Sequence, residues 1–201
     1  MKAFVFFAEG FEEVEALTPV DYLRRAGVEV LMISCGSNLQ VTGSHRIKVV
    51  AETLAKDVAE KLVAGTLELP DMVVVPGGMP GAANVAECVD ATQLIKAVYD
   101  AGGITAAICA APVVVFAKLG LLTGKNYTCY PGMEQQMEKW AGSKWQNLTA
   151  KSKYTGKRCV QDGNLVTAAG PGVAEEFTLA LVKLLVGKEV ATNLAINAVM
   201  R

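Results

Sequence analysis

The sequence predicts an α/β fold, a doubly wound, mostly parallel sheet with helices on both faces. Three observations carry that expectation. Short apolar runs alternate with amphipathic ones along the chain, the signature of strands joined by crossover helices. Several apolar runs are continuous, as suits strands buried on both faces. Finally, 52% of the 201 residues are hydrophobic and 19% are charged, which is enough apolar material for a large core. Residues 1–201 are expected to form one domain, and disorder is excluded because it needs low hydrophobicity and high net charge.

Lys2–Phe7 reads as the buried first strand. Phe11–Ala26 follows as a helix, with Val14, Leu17, Tyr22 and Leu23 recurring near helical spacing, Pro19 bending it and Gly27 closing it. Val28–Ile33 is the second strand, and Ile47–Val50 is a short strand at an edge or in a hairpin. Met72–Val75 is a β-branched strand halted by Pro76-Gly77-Gly78. Thr92–Tyr99 is helical, Ile104–Ile108 is the next strand and Ala110–Leu119 the next helix. Thr128 and Cys129 lie in a short strand before Pro131. Arg158–Ala169 reads as a hairpin turning at Asp162-Gly163. Ala174–Val186 is a long helix, and Glu189–Met200 a shorter one.

Charge and cysteine usage exclude several function classes. The formal net charge is −1, and the basic residues between Lys139 and Arg158 are interrupted by Trp140, Gly142 and Gly156, so that stretch reads as a solvated face. No nucleic-acid partner is expected. The apolar start stops at Glu9, too short for a secretory signal, and no run is long enough to span a bilayer. The five cysteines, Cys35, Cys88, Cys109, Cys129 and Cys159, are odd in number and contain no CxxC pair. A disulfide scaffold and a zinc site are both poor readings, and a reducing cytoplasm suits them best.

Ligands of doubly wound sheets bind at the carboxyl ends of the strands, so three loops matter: Ala8–Glu13, Pro76–Gly81 and Cys109–Pro112. The first carries Glu9, Glu12 and Glu13, which are expected to cap the following helix and complement its dipole. Glu15 falls on an inward-facing stretch, where burial would raise its pKa and leave it able to exchange a proton. Alone, the glycine-rich second loop reads as a turn, with a phosphate nest or an oxyanion hole as alternatives. In the third loop a buried strand runs through Cys109 into a helix with small residues on both sides. That allows a sharp elbow and puts the thiol at a helix N-terminus, where its pKa is expected to fall. A buried core cysteine is the alternative. Pro112 fits the first helical turn. The single histidine, His45, lies far from Cys109 in sequence, so a Cys-His-Asp triad is not expected. Tyr130 is either a wall of the pocket or a packed aromatic.

The segments Ala8-Glu9-Gly10-Phe11-Glu12-Glu13-Val14-Glu15, Pro19-Val20-Asp21, Val73-Val74-Val75-Pro76-Gly77-Gly78, Ala106 to Pro112 and Gly170-Pro171-Gly172 together resemble the ThiJ/PfpI superfamily. The resemblance is to its branch of the parkinsonism-associated protein deglycase and bacterial YajL-type relatives, and it runs nearly end to end. It implies a flavodoxin-like fold and a homodimer. It also implies Cys109 as a redox-sensitive nucleophile that oxidises to a sulfinic acid, and Glu15 as a protonated carboxyl bonded to its sulfur. Gly77, Gly78 and Ala110 would supply the backbone facing an oxyanion.

The implied activity is that of a cofactor-free, metal-free glyoxalase or deglycase. It would act on methylglyoxal-type dicarbonyls or their early adducts with proteins, in carbonyl and oxidative stress. The alternative is a redox-sensing, chaperone-like stress protein signalling through Cys109. Three positions separate this chain from relatives. Tyr130 stands where some carry a histidine, Ala169 where the parkinsonism-associated protein has an arginine, and Ala110 where the protease members have a histidine. The last argues against a peptidase. Thiazole biosynthesis has no supporting motif, and the other four cysteines are expected to be structural.

Overall fold

A computed structural model describes residues 1–200. Its centre is a seven-stranded sheet. In chain order the first elements are β1 (Lys2–Phe7), α1 (Glu13–Arg25), β2 (Glu29–Ser34), a hairpin of β3 (Gln40–Thr42) and β4 (Lys48–Val50), β5 (Thr53–Leu54), α2 (Ala55–Val63) and β6 (Met72–Val75). Next come α3 (Gly81–Glu87), α4 (Val89–Asp100), β7 (Ile104–Ile108) and a π-helix over Pro112–Ala117. A peripheral segment follows, with β8 (Asn126–Tyr127), a 3-10 turn (Met133–Gln136), α5 (Met137–Ala141), α6 (Trp145–Leu148) and β9 (Lys153–Tyr154). The chain closes with β10 (Cys159–Asp162), β11 (Leu165–Ala168), a 3-10 turn (Pro171–Val173), α7 (Ala174–Val186) and α8 (Lys188–Asn197).

The strand order is β10-β11-β7-β6-β1-β2-β5, and every pairing is parallel except β10 with β11. The expected mostly parallel, doubly wound sheet is therefore present. Its strands read as continuous apolar runs because both faces are covered. On one face Phe4, Phe6, Val73, Val75 and Ala107 pack under α2, α3, α4 and the π-helix. On the other, Val5, Phe7, Met72, Val74, Ala106 and Ile108 pack under α1, α7 and α8. Alternation along each strand assigns neighbouring residues to opposite faces. Cys109 borders both clusters, because it sits where β7 leaves the sheet.

Several boundaries differ from the sequence reading, each for a local reason. Phe11 lies in a turn (its N–H donates to Ala8 O at 2.9 Å), and α1 begins only after Glu12 caps it. Pro19 sits inside an unbroken α1, and Gly27, at φ 79°, closes it. The extended pair near residue 128 is Asn126–Tyr127, because Thr128 donates its N–H to Thr167 Oγ1 at 2.9 Å and leaves the ladder. Asp162 pairs with Leu165, so the hairpin turns on Gly163-Asn164, one residue later than expected. Instead of an ordinary α-helix over Ala110–Leu119, the chain forms a π-helix there. Among the described residues no helix is long and apolar enough to cross a membrane.

Candidate active site

The carboxyl ends of β1, β6 and β7 bring three loops together. Cys109 adopts φ 63°, the left-handed region that non-glycine residues rarely enter. The cost, of order 1–2 kcal/mol, is offset because both flanking peptide groups are tied down. Its N–H donates to Ala168 O at 2.9 Å, and its carbonyl accepts from Tyr130 N–H at 2.8 Å. The small residues Ala110 and Ala111 let the chain turn sharply into the π-helix, with Pro112 in its first turn. Such helices are rare and are found mostly as local distortions.

Glu15 is the third residue of α1 and is fully buried. Its N–H donates to Glu12 Oε2 at 2.7 Å, the helix cap that orients this first turn. Its Oε2 accepts the Gly77 N–H at 2.8 Å, whereas Oε1 is buried with no hydrogen-bond partner. Gly77 is the meeting point. A methyl group there would lie 2.6 Å from Cys109 Cβ, 2.7 Å from Glu15 Oε2 and 3.0 Å from Ala110 N. Only a hydrogen fits. Gly78, at φ 83°, packs its backbone against Glu12 N and Gly10 O. The loops are stitched by Glu12 N–H to Gly77 O (3.1 Å), Gly81 N–H to Gly10 O (3.1 Å) and Ala82 N–H to Gly78 O (2.9 Å).

Burial, and then the charge of Glu12, push the Glu15 carboxyl up to about 8, so it holds its proton at neutral pH. Burial, and then the Glu15 charge, push the Cys109 thiol up to about 12, while the Gly78 and Ala110 amides act in the opposite direction. The lowering expected from a helix N-terminus is thus reversed, because burial and a neighbouring carboxylate outweigh two amide dipoles. No sulfur–oxygen bond of good geometry joins Cys109 and Glu15, yet each shifts the other, so they titrate as a pair. The first proton leaves near 8 and the second near 12. While Glu15 stays protonated its repulsion is absent, and burial alone opposes the amides at sulfur.

Cys109, Glu15, Gly77, Gly78 and Ala110 thus converge on one point. Tyr130 is linked through its backbone to Cys109, but its ring is half-exposed and lies against Gly170, where a methyl would be 3.4 Å from Cδ2. Ala169 brings no charge, and the Arg158 guanidinium is engaged with Glu176 Oε2 (2.8 Å) and Gly172 O (3.2 Å). A cleft of 720 Å³ is lined by Val14, Thr18, Arg158, Gly172, Glu176 and Met200 among others, and contains none of the converging residues.

The acidic cluster divides its work. Glu12 caps α1, as expected. Glu13, by contrast, is buried and clamps the β3–β4 connection rather than complementing the helix dipole. It accepts the His45 N–H at 2.7 Å and meets His45 Nδ1 at 2.8 Å, with Ser44 Oγ and Ile47 N–H beside it. Glu9 Oε1 accepts the Thr42 N–H at 3.1 Å. Nothing in the local sequence signals either contact, because the partners are about thirty residues away. Glu12, Glu13 and His45 are the one group of three potential metal donors among the described residues, with ligand atoms within 4.8 Å of one another. Those of Glu12 and Glu13 are already engaged in the cap and the clamp.

Comparison with known proteins places this geometry in a lineage. The chain is 36% identical over 200 residues to protein DJ-1 homolog B of Arabidopsis thaliana, covering 100% of this chain but 42% of the plant protein, so it spans less than half of that relative. It is 31% identical over 187 residues to glutathione-independent glyoxalase DJR-1.2 of Caenorhabditis elegans, covering 92% of this chain and 89% of the worm protein. The crystal structure of Drosophila melanogaster DJ-1beta superposes with a TM-score of 0.86 at 34% identity, covering 100% of this chain and 98% of the fly chain. The DJ-1/PfpI family model matches residues 1–184, and with the flavodoxin-like sheet and the motifs at Glu15, Gly77-Gly78 and Cys109 in place, the chain belongs to the DJ-1/PfpI family.

Proposed function

We propose that the protein is a cofactor-free glyoxalase that converts methylglyoxal-type dicarbonyls, free or as early adducts on protein amines and thiols, to hydroxy acids. One observation carries the reading: a cysteine on a strained elbow beside a buried glutamic acid, with two amides facing the sulfur. The similarity to a worm glyoxalase supports the substrate class.

The pair loses its first proton mainly from Glu15, near 8, and the reactive form is its minor tautomer, with the charge on sulfur and the remaining proton on Glu15. The Cys109 thiolate adds to the aldehyde carbon, and the Gly78 and Ala110 amides stabilise the resulting alkoxide. Glu15 protonates that oxygen, giving a hemithioacetal and a free carboxylate. The carboxylate then removes the hydrogen from the former aldehyde carbon and returns it to the adjacent ketone carbon. A proton passes between the two oxygens, leaving a thioester of lactate. Water opens the thioester, releasing lactate and one proton and restoring the pair. Gly77 N–H holds one Glu15 oxygen still while the unpartnered Oε1 is free for the transfers.

Dimerisation belongs to the same reading. Val14 on α1, and Ile47 and Val50 on and beside the hairpin clamped by Glu13, are large apolar side chains left exposed, a surface that suits a second copy. Sedimentation showing only monomer at micromolar concentration would remove it. Redox signalling through Cys109 is the rival function. The decisive experiment is lactate formation from methylglyoxal by the wild-type protein, Cys109→Ser and Glu15→Gln, with buffer adducts controlled. Many turnovers, lost in both variants, are expected; wild-type output no greater than that of Cys109→Ser would sink the reading.

A further inference from the structure

Strand β10 is the last of the seven-stranded sheet, so one of its two sides has no neighbouring strand. Its pairing with β11 fixes which groups that side presents. In an antiparallel ladder alternate residues turn both backbone groups towards the partner strand, and the residues between them turn both away. Ala169 N–H donates to Arg158 O at 2.9 Å, in register with Val160 opposite Thr167 and Asp162 opposite Leu165. Arg158, Val160 and Asp162 therefore bond to β11, whereas the N–H and C=O groups of Cys159 and Gln161 point outward. Among the described residues no other backbone group pairs with them.

The short ribbon of β8 and β9 does not close this edge. It lies over one face of β10 and β11, tied down by Thr128 N–H to Thr167 Oγ1 (2.9 Å) and Asn126 N–H to Asp162 Oδ2 (2.8 Å). Between ribbon and edge runs a cleft of 540 Å³, lined by Asn126, Lys153, Tyr154, Lys157, Cys159 and Gln161 among others. Its charge is one-sided. The nearby cations Lys125 and Arg158 are engaged with Asp162 and Glu176, but Lys153 and Lys157 are exposed and belong to no ion pair among the described residues. No carboxylate lines the cleft. Lysines beside an open edge also disfavour pairing with a second copy, which would set them against their own counterparts.

We propose that the open edge of β10 docks an extended acidic segment of a partner protein, which adds to the sheet as a further strand. The N–H and C=O groups of that segment pair with those of Cys159 and Gln161, giving affinity without regard to side chains. Every second side chain of the added strand faces the ribbon, so carboxylates at alternate positions lie beside Lys153 and Lys157 and select an acidic sequence. Four residues of β10 allow only a short contact, which suits a transient partner. The edge uses no residue of the Cys109 site, so the proposal stands whether or not the glyoxalase reading does.

The test titrates a synthetic hexapeptide of alternating glutamate and valine, blocked at both ends, into the isotope-labelled full-length protein and follows its amide signals. The Cys159 and Gln161 amides are expected to shift and to exchange more slowly with solvent, and a lysine–valine peptide should do neither. N-methylation of alternate peptide amides should abolish binding for one of the two sets only, since a strand turns one set towards β10 and the other away. Gln161→Pro removes an outward N–H and no bond to β11, so it should weaken binding about threefold to tenfold. Reversing both charges, Lys153→Glu with Lys157→Glu, needs no change in the strand and should weaken it roughly tenfold or more. The proposal is overturned if the Cys159 and Gln161 amides do not respond to the peptide, or if both methylated peptides bind as well as the parent. Equal binding by the charge-reversed protein overturns the acidic partner. Shifts of the same amides on raising the protein concentration alone would give the edge to a second copy and overturn it too.

Discussion

Cys109 and Cys88 each stand at the carboxyl edge of the sheet, just before a helix, yet their thiols are pushed in opposite directions. Cys109 is raised to about 12 and Cys88 lowered to about 7. In both, two backbone amides favour the thiolate, so amides and helix starts cannot account for the difference. Burial, which is the largest influence on Cys109, and the partner of each thiol account for it. Cys109 faces a carboxyl group that becomes a negative charge once ionised. Cys88 faces a thiol that stays neutral and donates a hydrogen bond. A helix N-terminus contributes a small, fixed bias, worth typically ~0.3–1 kcal/mol. Burial together with the neighbouring titratable group decides the sign.

Removing the partner of Cys109 is the strongest way to break the comparison. Glu15→Gln abolishes the charge that opposes thiolate formation, so the Cys109 thiol should titrate well below 12, read from thiolate absorbance, with Cys88 unchanged. The same variant lacks a proton acceptor for the carbon-to-carbon transfer and should lose about 10²–10⁴-fold in turnover. In the wild type, kcat/KM should rise about tenfold per pH unit towards 8, where the pair loses its first proton, and level off above it. A profile that is flat from pH 6 to 9 would contradict the assigned reactive form.

A smaller effect is expected from Gly77→Ala. The added methyl meets the Cys109 Cβ, the Glu15 carboxyl and the Ala110 amide at once, so the loops must part. A loss of about 1–3 kcal/mol in denaturant unfolding is expected, together with reduced turnover. Cys88 alkylation should not change. If it does, the two sites are coupled and the contrast between them is not local.

How much of this was legible in the sequence follows from the range of each interaction. The strands at Lys2–Phe7, Met72–Val75 and Ile104–Ile108 declared themselves, because strands covered on both faces must be apolar throughout. The Cys109 elbow was legible from the small residues around it. Helices α2 and α3 were not: α3 is a short segment rich in alanine, and α2 carries an apolar stripe but over only Ala55–Val63, a stretch too short to stand out. The π-helix was hidden because its sequence, Pro112-Val113-Val114-Val115-Phe116-Ala117, could equally start an ordinary helix. The Glu13 clamp depends on partners that only the fold brings near.

Stability against pH sharpens the contrast between the two sites further. The Glu15 carboxyl has a folded-state pKa raised from 4.5 to about 8, so its contribution is complete below 4.5 and is lost as pH rises towards 8. Across that window the native state holds the extra proton, and unfolding free energy should fall by at most about 1.4 kcal/mol per pH unit. Glu15→Gln removes the slope. A wild-type protein whose urea midpoint is as high at pH 8 as at pH 5, other titrations being matched by the variant, would mean that Glu15 is not buried as described.

The smallest effect tests Cys35 as a donor. Cys35→Ala removes the donor that lowers Cys88, so the Cys88 thiol should move up from about 7 towards 9. At pH 7 that leaves fewer thiolates, each somewhat more nucleophilic, and the alkylation rate should fall only several-fold. Cys35→Ser keeps a donor in the same place, so Cys88 should stay reactive. Equal alkylation of Cys88 in the alanine variant and the wild type would show that the amides of α4 alone hold it down. The rule drawn from Cys109 and Cys88, that burial and the neighbouring group outweigh the helix start, would then fail at Cys88.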